Sequence, residues 1–427
     1  MKREAVIVSA VRTPVGRCRG ALAAVGAPEL GALVIAEAVR RAGLQGEEVE
    51  EVIFGNLGNN DSANLARVVT LQAGLPFTVP AITIDRQCSS GLNAIAIGAL
   101  MIEAGEADIV VAGGTESDSN RPHLMEKARV AYQVAPPQWL VRRTAPGALN
   151  VSMGTTAENL GRKYHITREE CDAFALESHR KAAAAQDAGY FDEQIIPLPG
   201  ADAEGNEIVF HKDQGIRRDT TLEKMASMKP CFRENGRVTA ATSSQTSDGA
   251  AFLVLMSRDK AAEMGIRPLA SFLGFCVGGL DPAYMGLGPI YAAPKVLEYT
   301  GLTMDDMDVI ELNEAFAAQV SPCIKELGMD PARVNPNGGA MALGHPLGAT
   351  GAVLSCKAIS ELRRSMGEEN ADLLCRYLNL YGYGETLIQQ YGGELTDYGL
   401  LTRADGQPVQ KPLPPQPGLN GMGMRCP

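Results

Sequence analysis

The order of short apolar runs along this chain constrains its fold more than any other feature. Runs rich in valine and isoleucine alternate with amphipathic segments of helical length, which is typical of an α/β protein. In the first part of the chain these runs are residues 6–8, 52–54, 82–84 and 109–111. A similar order returns after Leu269, so we predict two similar halves that arose by internal duplication.

The second half and the connection between the halves define the predicted domains. The elements predicted for the second half are a strand over 269–275, a helix near 294–299, a strand over 309–311, a helix from Glu314, a short run ending at Asn335 and a helix after Gly348. Residues 120–242 are rich in charge and proline, which is typical of an excursion that covers a binding site. We therefore predict an N-terminal half over 1–119 that is completed by about 243–266, a loop domain over 120–242, a C-terminal half over 267–392 and a proline- and glycine-rich tail over 393–427.

Length and composition favour a globular enzyme over other classes of protein. The chain has 427 residues, 45% of them hydrophobic, which is enough for two domains or one large α/β domain. We expect a soluble, cytoplasmic protein, since no stretch resembles a signal peptide or a membrane span. Nine cysteines without CxxC pairs or nearby histidines argue against a zinc site or a disulfide framework. The net charge of -11 disfavours nucleic acid, and an anionic ligand would need a local basic patch.

Cys88 is the first candidate catalytic residue. It lies in a tight turn of small residues between a predicted strand over 82–84 and a segment with helical spacing from Leu92 onward. A cysteine at a helix N-terminus meets a partial positive charge and backbone N–H groups. These stabilise the thiolate, which lowers the pKa of the thiol below its ordinary value of about 8.5, and they can also hold an oxyanion. The alternative is that Cys88 is one more small buried residue.

Two further motifs contain candidate site residues. Residues 335–351 surround His345 with glycines and form the counterpart of the Cys88 turn in the second half. If a pseudo-twofold axis relates the halves, the two loops face each other and His345 approaches Cys88 as a base; a structural histidine is the alternative. In the other motif, Asn313 follows a strand near the predicted N-cap of a helix, and capping alone would explain an asparagine there.

Six motifs in this order resemble the thiolase family over about residues 1–375. They are the Cys-Ser-Ser-Gly turn at Cys88, 112–117 (Ala-Gly-Gly-Thr-Glu-Ser), 152–159 (Ser-Met-Gly-Thr-Thr-Ala-Glu-Asn), 247–250 (Ser-Asp-Gly-Ala), 313–316 (Asn-Glu-Ala-Phe) and 344–346 (Gly-His-Pro). The resemblance implies the thiolase fold, with two β-α-β-α-β-α-β-β halves in a layered αβαβα arrangement and an inserted loop domain that binds coenzyme A. It also implies a homodimer or homotetramer.

The resemblance implies a reaction and a role for each motif. Cys88 would be the nucleophile that carries an acyl thioester, His345 would activate it, and Asn313 would position a water that joins His345 in an oxyanion hole. The implied enzyme is an acyl-CoA C-acyltransferase that cleaves a 3-oxoacyl-CoA with CoA, or runs the reverse Claisen condensation. Coenzyme A is then a substrate, and neither a further cofactor nor a metal is implied.

The same resemblance points to residues that contact CoA. They are Ser244, Arg217, Met153 and Phe316. The alternative for Arg217, together with Arg218, is a solvated pair of surface charges. Ser152 stands where many short-chain members of the family carry a histidine, which weakens any inference about the substrate from that loop.

The C-terminal region departs from the family pattern. The family supplies a second cysteine, the acid/base for C2, in a Cys-x-Gly-Gly-Gly turn that this sequence lacks. Cys375 lies 30 residues after His345, at the separation the family shows, and it is the preferred candidate. Alignment on Gly382 and Gly384 places Leu378 at that position instead. A bulky Tyr377 stands where a glycine is expected after Cys375, which puts the oxyanion geometry of this turn in question.

Two other functions remain open from the sequence. One is a thiolase-like acyl-binding subunit with reduced carbon–carbon chemistry, which would act with a partner chain through its C-terminus. The other is a decarboxylating condensing enzyme of the ketoacyl synthase type, against which the Asn-Glu-Ala-Phe motif argues.

Overall fold

The computed structural model describes residues 3–59, 62–127, 140, 145–366, 376–381 and 384–390. Its strands are β1 (Ala5–Arg12), β2 (Gly16–Arg17), β3 (Glu51–Gly55), β4 (Ala81–Ile84), β5 (Ile109–Ser117), β6 (Leu198–Ala201), β7 (Glu207–Phe210), β8 (Ser247–Ser257), β9 (Ala270–Val277), β10 (Val309–Leu312), β11 (Arg376–Tyr381) and β12 (Gly384–Gln390). Its helices are α1 (Ala27–Arg41), α2 (Leu65–Gln72), α3 (Ser90–Ala104), α4 (Met153–Lys163), α5 (Arg168–Asp187), α6 (Leu222–Ala226), α7 (Arg258–Glu263), α8 (Gly288–Thr300), α9 (Ala317–Glu326), α10 (Ala340–Leu343) and α11 (Thr350–Met366). The predicted tail over 393–427 lies outside the described residues.

The strand pairing confirms the predicted duplication. In the first half, β3 lies between β4 and β5, both parallel to it, and β5, β8 and β1 follow in antiparallel order. In the second half, β10 lies between a parallel bridge to Val334 and the parallel strand β11, and β12 and β9 follow in antiparallel order. A short antiparallel pairing of β1 with β9 joins the two sets of strands into one sheet.

The two halves meet along their central helices, α3 and α11. Both helices are buried on most faces, and Leu92 of α3 packs against Leu354 of α11. Two glycines permit the close approach at the starts of the helices. A Cβ atom on Gly91 would lie 2.7 Å from the carbonyl oxygen of Gly348, and one on Gly351 would lie 2.6 Å from Cβ of Leu92. The segments that precede α3 and α11 therefore lie close to each other.

Between the halves, the chain forms α4, α5, the β6–β7 hairpin and α6. Helix α5 packs against α10, and α4 packs against α9, so this region contacts elements of the second half. The start of α4 is set by a helix cap. Ser152 is the N-cap residue directly before Met153, and its side chain accepts a hydrogen bond from Thr155 N. No helix among the described residues is long and apolar enough to cross a membrane.

Candidate active site

Cys88 lies in a tight turn that connects β4 to α3. It directly precedes Ser89, the N-cap of α3, which confirms that this cysteine is at the start of a helix. Gln87 has a φ of 51°, a left-handed conformation that is costly for a residue with a side chain. Ser90 holds this turn, because its Oγ accepts from Arg86 N at 2.7 Å and donates to Gln87 O at 2.5 Å. Cys88 itself is partly accessible.

His345 is held in the corresponding loop of the second half. Its backbone N–H donates to Gln245 O at 3.1 Å and to Ser247 Oγ at 3.0 Å. Its ring Nδ1 lies 2.6 Å from Oγ1 of Thr350. The side chain is buried, and this burial lowers the pKa of His345 to about 4. The imidazole is therefore neutral near pH 7 and can accept a proton.

The loops that contain Cys88 and His345 face each other across the starts of α3 and α11. Gly348, three residues after His345, reaches Gly91, three residues after Cys88, with no room for a side chain between them. The fully buried carboxylate of Glu116 stabilises this contact. It accepts hydrogen bonds from Gly348 N at 2.9 Å and from Gly58 N at 2.7 Å. The two candidate catalytic side chains thus lie on facing loops, as the duplication predicts.

Asn313 lies between β10 and α9, and it is not a helix cap. The predicted helix start at Glu314 is wrong, because α9 begins at Ala317 with Phe316 at the N-cap position. The shape of the loop comes from Glu314, whose buried carboxylate accepts from Ser178 Oγ at 2.6 Å and from Asn335 Nδ2 at 2.8 Å. Helix capping therefore does not explain the asparagine.

Three of the predicted CoA contacts lie around one aromatic pair. Phe316 packs edge-on against Phe232, with ring centroids 6.2 Å apart. Ser244 N donates to the carbonyl oxygen of Ala315 at 2.9 Å, next to Phe316. Phe232 also lies directly over Gly154, where a Cβ atom would overlap the ring, and Gly154 follows Met153. The main chain at Ser244 and at Met153 therefore lies near the pair formed by Phe232 and Phe316, which we call the apolar patch.

Arg217 is exposed and lies on a loop that is linked to the same region. Gln245, next to Ser244, donates from Nε2 to the carbonyl oxygen of Gly215 at 3.0 Å. The backbone N–H of Arg217 donates to Nδ1 of His179 at 3.1 Å. Burial and the charges of Arg217 and Arg17 lower the pKa of His179 to about 4. Arg218 instead pairs with Asp187, and both are exposed.

Comparison with known proteins identifies the family. The family model described as Thiolase, N-terminal domain, matches residues 5–259, and that described as Thiolase, C-terminal domain, matches residues 266–387. The chain belongs to the thiolase family.

Relatives and solved structures agree with this assignment. The thiolase is 43% identical over 377 residues to an acetyl-CoA acetyltransferase of Cupriavidus necator, covering 87% of this chain and 96% of that protein. It is 43% identical over 384 residues to a 3-ketoacyl-CoA thiolase of Bacillus subtilis, with 87% and 96% covered. The crystal structure of the Bacillus anthracis acetyl-CoA acetyltransferase superposes with a TM-score of 0.85 at 42% identity, over 91% of this chain and 99% of that one. The crystal structure of human mitochondrial 3-ketoacyl-CoA thiolase superposes with a TM-score of 0.84 at 36% identity, over 91% of this chain and 99% of that one. These matches confirm the predicted fold.

Several residues that build this site were not assigned a role from the sequence. Thr350, Ser247 and Gln245 all hold His345 or its loop, and Phe232 shapes the apolar patch. Each of these contacts except that of Thr350 joins residues more than 80 positions apart. Local signals existed for three of them: Gln245 ends the polar run 242–245, Ser247 begins the Ser-Asp-Gly-Ala motif, and Thr350 lies in the glycine-rich segment 335–351.

Cys375 lies outside the described residues, whereas the position of Leu378 lies within a described strand. Strand β11 begins at Arg376 and runs parallel to β10, with Leu378 opposite Ile310 and Leu380 opposite Leu312. The carboxyl end of β11 is therefore the end that lies beside Asn313. The family match extends to residue 387, so the comparisons do not support an atypical C-terminus in this thiolase.

Proposed function

We propose that this protein is an acyl-CoA C-acyltransferase that cleaves a 3-oxoacyl-CoA with CoA, or forms one by the reverse Claisen condensation. The observation that carries the proposal is the cysteine turn at the start of α3, which faces a loop with a buried, neutral histidine. Relatives named acetyl-CoA acetyltransferase and 3-ketoacyl-CoA thiolase support the same chemistry.

Cys88 and His345 would share the covalent steps. His345 removes the proton from the Cys88 thiol, and the sulfur attacks C3 of the 3-oxoacyl-CoA. The C2–C3 bond breaks, its electron pair forms the enolate of acetyl-CoA, and protonation of C2 releases that product. The thiol of free CoA then attacks the acyl-Cys88 thioester, and Cys88 leaves with a proton.

Asn313 and backbone N–H groups would stabilise the charge that develops on oxygen. We assign Asn313 to position a water that forms one oxyanion hole with His345, and the backbone N–H of Cys88 to a second hole. The hydrogen bonds of Glu314 support this assignment because they fix the loop after β10. Loss of one oxyanion donor costs roughly 10²–10³ in kcat, which is the effect expected for Asn313→Ala.

The apolar patch would hold the pantetheine arm of CoA. Phe316 and Phe232 offer apolar contact, and the main chain at Met153 and Ser244 lies near this pair, which supports a role for both residues in binding CoA. Arg217 would contact a phosphate group, a role supported by its exposure and by a neutral neighbour, His179. Arg217→Ala should then raise KM for CoA without lowering kcat.

The group that exchanges a proton with C2 can be assigned by two substitutions. Sequence separation favours Cys375, whereas strand register supports the position of Leu378, because Leu378 lies opposite Ile310 and is closer to Asn313 than the amino end of β11 is. If Cys375 is the acid/base, Cys375→Ser lowers the thiolysis rate by roughly 10²–10⁴-fold. If the Leu378 position is the correct one, Cys375→Ser is nearly silent and Leu378→Cys raises the rate.

We also propose that the protein is a homodimer or homotetramer, in the cytoplasm as the sequence predicts. Among the described residues, strand β4 is an edge strand of the sheet, and exposed apolar side chains lie on and near it, including Phe77 at 86% and Ile82 at 49% exposure. Ile82→Lys should lower the mass measured by sedimentation. Val209→Lys, at a more exposed strand position of the β6–β7 hairpin, is the control and should leave the mass unchanged.

The activity is tested with 3-oxoacyl-CoA substrates of increasing chain length. Acetoacetyl-CoA or a longer homologue should be consumed in the presence of CoA, with acetyl-CoA and a shortened acyl-CoA as products. Cys88→Ala should abolish this turnover. No consumption at any chain length by the folded protein would contradict the proposal.

A further inference from the structure

Glu116 is a buried carboxylate to which the proposed mechanism gives no role. It lies in β5, within the Ala-Gly-Gly-Thr-Glu-Ser motif, and it is 0% exposed. Its Oε2 accepts hydrogen bonds from Leu57 N at 3.1 Å and from Gly348 N at 2.9 Å, and its Oε1 accepts from Gly58 N at 2.7 Å. Burial of a carboxylate is costly unless hydrogen bonds compensate it, so these N–H groups make its burial tolerable.

The hydrogen bonds of Glu116 connect loops from the two halves. Residues 57–58 belong to the loop that follows β3 in the first half, whereas Gly348 lies three residues after His345 in the second half. A Cβ atom on Gly348 would lie 2.8 Å from the carbonyl oxygen of Gly55 and 3.0 Å from Oε2 of Glu116, so these loops meet without room for a side chain. Glu116 therefore holds the His345 loop against the end of β3.

The end of β3 also contacts the Cys88 turn. A Cβ atom on Gly55 would lie 2.4 Å from Cβ of Ser90, the residue whose hydroxyl group holds the turn around Cys88. The segment that Glu116 fixes thus contacts the Cys88 turn on one side and the His345 loop on the other.

We propose that Glu116 is a positioning residue whose ionised carboxylate sets the separation between Cys88 and His345. This inference rests on the roles proposed above for Cys88 and His345. Every hydrogen-bond or ion-pair partner of Glu116 among the described residues is a donor, including the guanidinium group of Arg121 at 3.9 Å. Only the ionised carboxyl group accepts at both oxygens without directing a hydrogen at one of these donors. Burial raises the pKa of Glu116, whereas the N–H groups and Arg121 act in the opposite direction.

Two variants test whether the carboxylate, rather than the volume of the side chain, positions the loops. Glu116→Gln keeps the shape but replaces one acceptor oxygen with an NH₂ group that faces an N–H group. Glu116→Asp keeps the charge but is shorter by one methylene group, so it does not reach both loops. Each should lower kcat for the thiolysis of acetoacetyl-CoA by roughly 10–10²-fold, as a misplacement approaching 1 Å does, with KM for CoA little changed. Wild-type kcat in either folded variant would overturn the inference.

Glu158→Gln is the matched control for a buried carboxylate elsewhere in the chain. Glu158 lies on α4, is 2% exposed and accepts hydrogen bonds from Arg237 N and Val238 N, each at 2.9 Å. The guanidinium group of Arg237 lies 3.8 Å from it, much as that of Arg121 does from Glu116. Glu158→Gln should lower stability in urea but retain kcat, and an equal loss of kcat in both glutamine variants would refute a specific role for Glu116.

Alkylation of Cys88 gives a second measurement that does not need turnover. Iodoacetamide reacts with the thiolate, so its rate at Cys88, followed by peptide mapping at pH 7, depends on proton removal by His345. This rate should fall by roughly 10-fold in Glu116→Gln, toward that of His345→Asn, and stay at the wild-type value in Glu158→Gln. Slow alkylation in His345→Asn beside wild-type alkylation in Glu116→Gln would preserve the proposed function and remove only this inference.

Discussion

Replacing Gly351 with alanine should push the two central helices apart and slow the reaction. The added Cβ would lie 2.6 Å from Cβ and 2.9 Å from Cα of Leu92, and closer still to its backbone nitrogen. These atoms are fixed to the main chain of α3, so no side-chain rotation relieves the overlap. Since ordinary contacts begin at 3.4 Å, the start of α11 must move by about 1 Å.

That displacement bears directly on the distance between Cys88 and His345. A misplacement of about 1 Å in an active site can cost roughly 10²-fold in rate, and we expect a loss of this size in kcat. Overpacking costs about 1–3 kcal/mol, partly offset by the gain of about 1 kcal/mol from alanine over glycine in a helix. The free energy of unfolding should thus fall only modestly, whereas kcat should fall by roughly 10²-fold.

The assay is the thiolysis of acetoacetyl-CoA, measured beside unfolding in urea. Gly279→Ala is the matched control, because a Cβ atom there meets nothing within 4 Å. It should leave both kcat and stability near wild type. A folded Gly351→Ala variant with wild-type kcat would refute the claim that the contact between α3 and α11 sets the catalytic geometry.

Two further predictions concern buried charges. The pKa of His179 is about 4 in the folded chain and 6.5 when unfolded, so the unfolded state binds more protons between these values and stability falls as pH drops from 6.5 to 4. His179→Asn, whose Oδ1 can accept from Arg217 N in place of Nδ1, should weaken this dependence in unfolding experiments across that range, and an unchanged slope would contradict it. Lys357 donates to Glu311 at 2.7 Å with both side chains buried, so Lys357→Met should cost about 3–5 kcal/mol. The double variant with Glu311→Leu should recover much of that loss in urea unfolding, and equal stability of the two variants would argue against the ion pair.

The sequence predicted the parts of the fold that depend on local pattern. The valine and isoleucine runs at 52–54 and 109–111 became β3 and β5, and the repeated order of elements became two halves with matching strand pairing. Cys88 was placed correctly at a helix start because small residues in a turn have a local signature. These features depend on neighbours along the chain.

Other features could not be predicted, because they depend on contacts between distant residues. The start of α9 was predicted at Glu314, but the hydrogen bonds of Glu314 to Ser178 and Asn335 keep the chain irregular until Ala317. Phe232 lies in a loop without a regular pattern, and its contact with Phe316 exists only in the folded chain. Thr350 resembles an ordinary residue at a helix start until its distance to His345 is known.

Mass spectrometry of the acylated protein tests the central claim most directly. After incubation with acetyl-CoA and rapid acid quenching, we predict one acetyl group per chain, located on Cys88 by peptide mapping and lost when free CoA is added. His345→Asn should slow the labelling, and Cys88→Ala should abolish it. An acetyl group on another cysteine, or steady turnover by Cys88→Ala, would contradict the account.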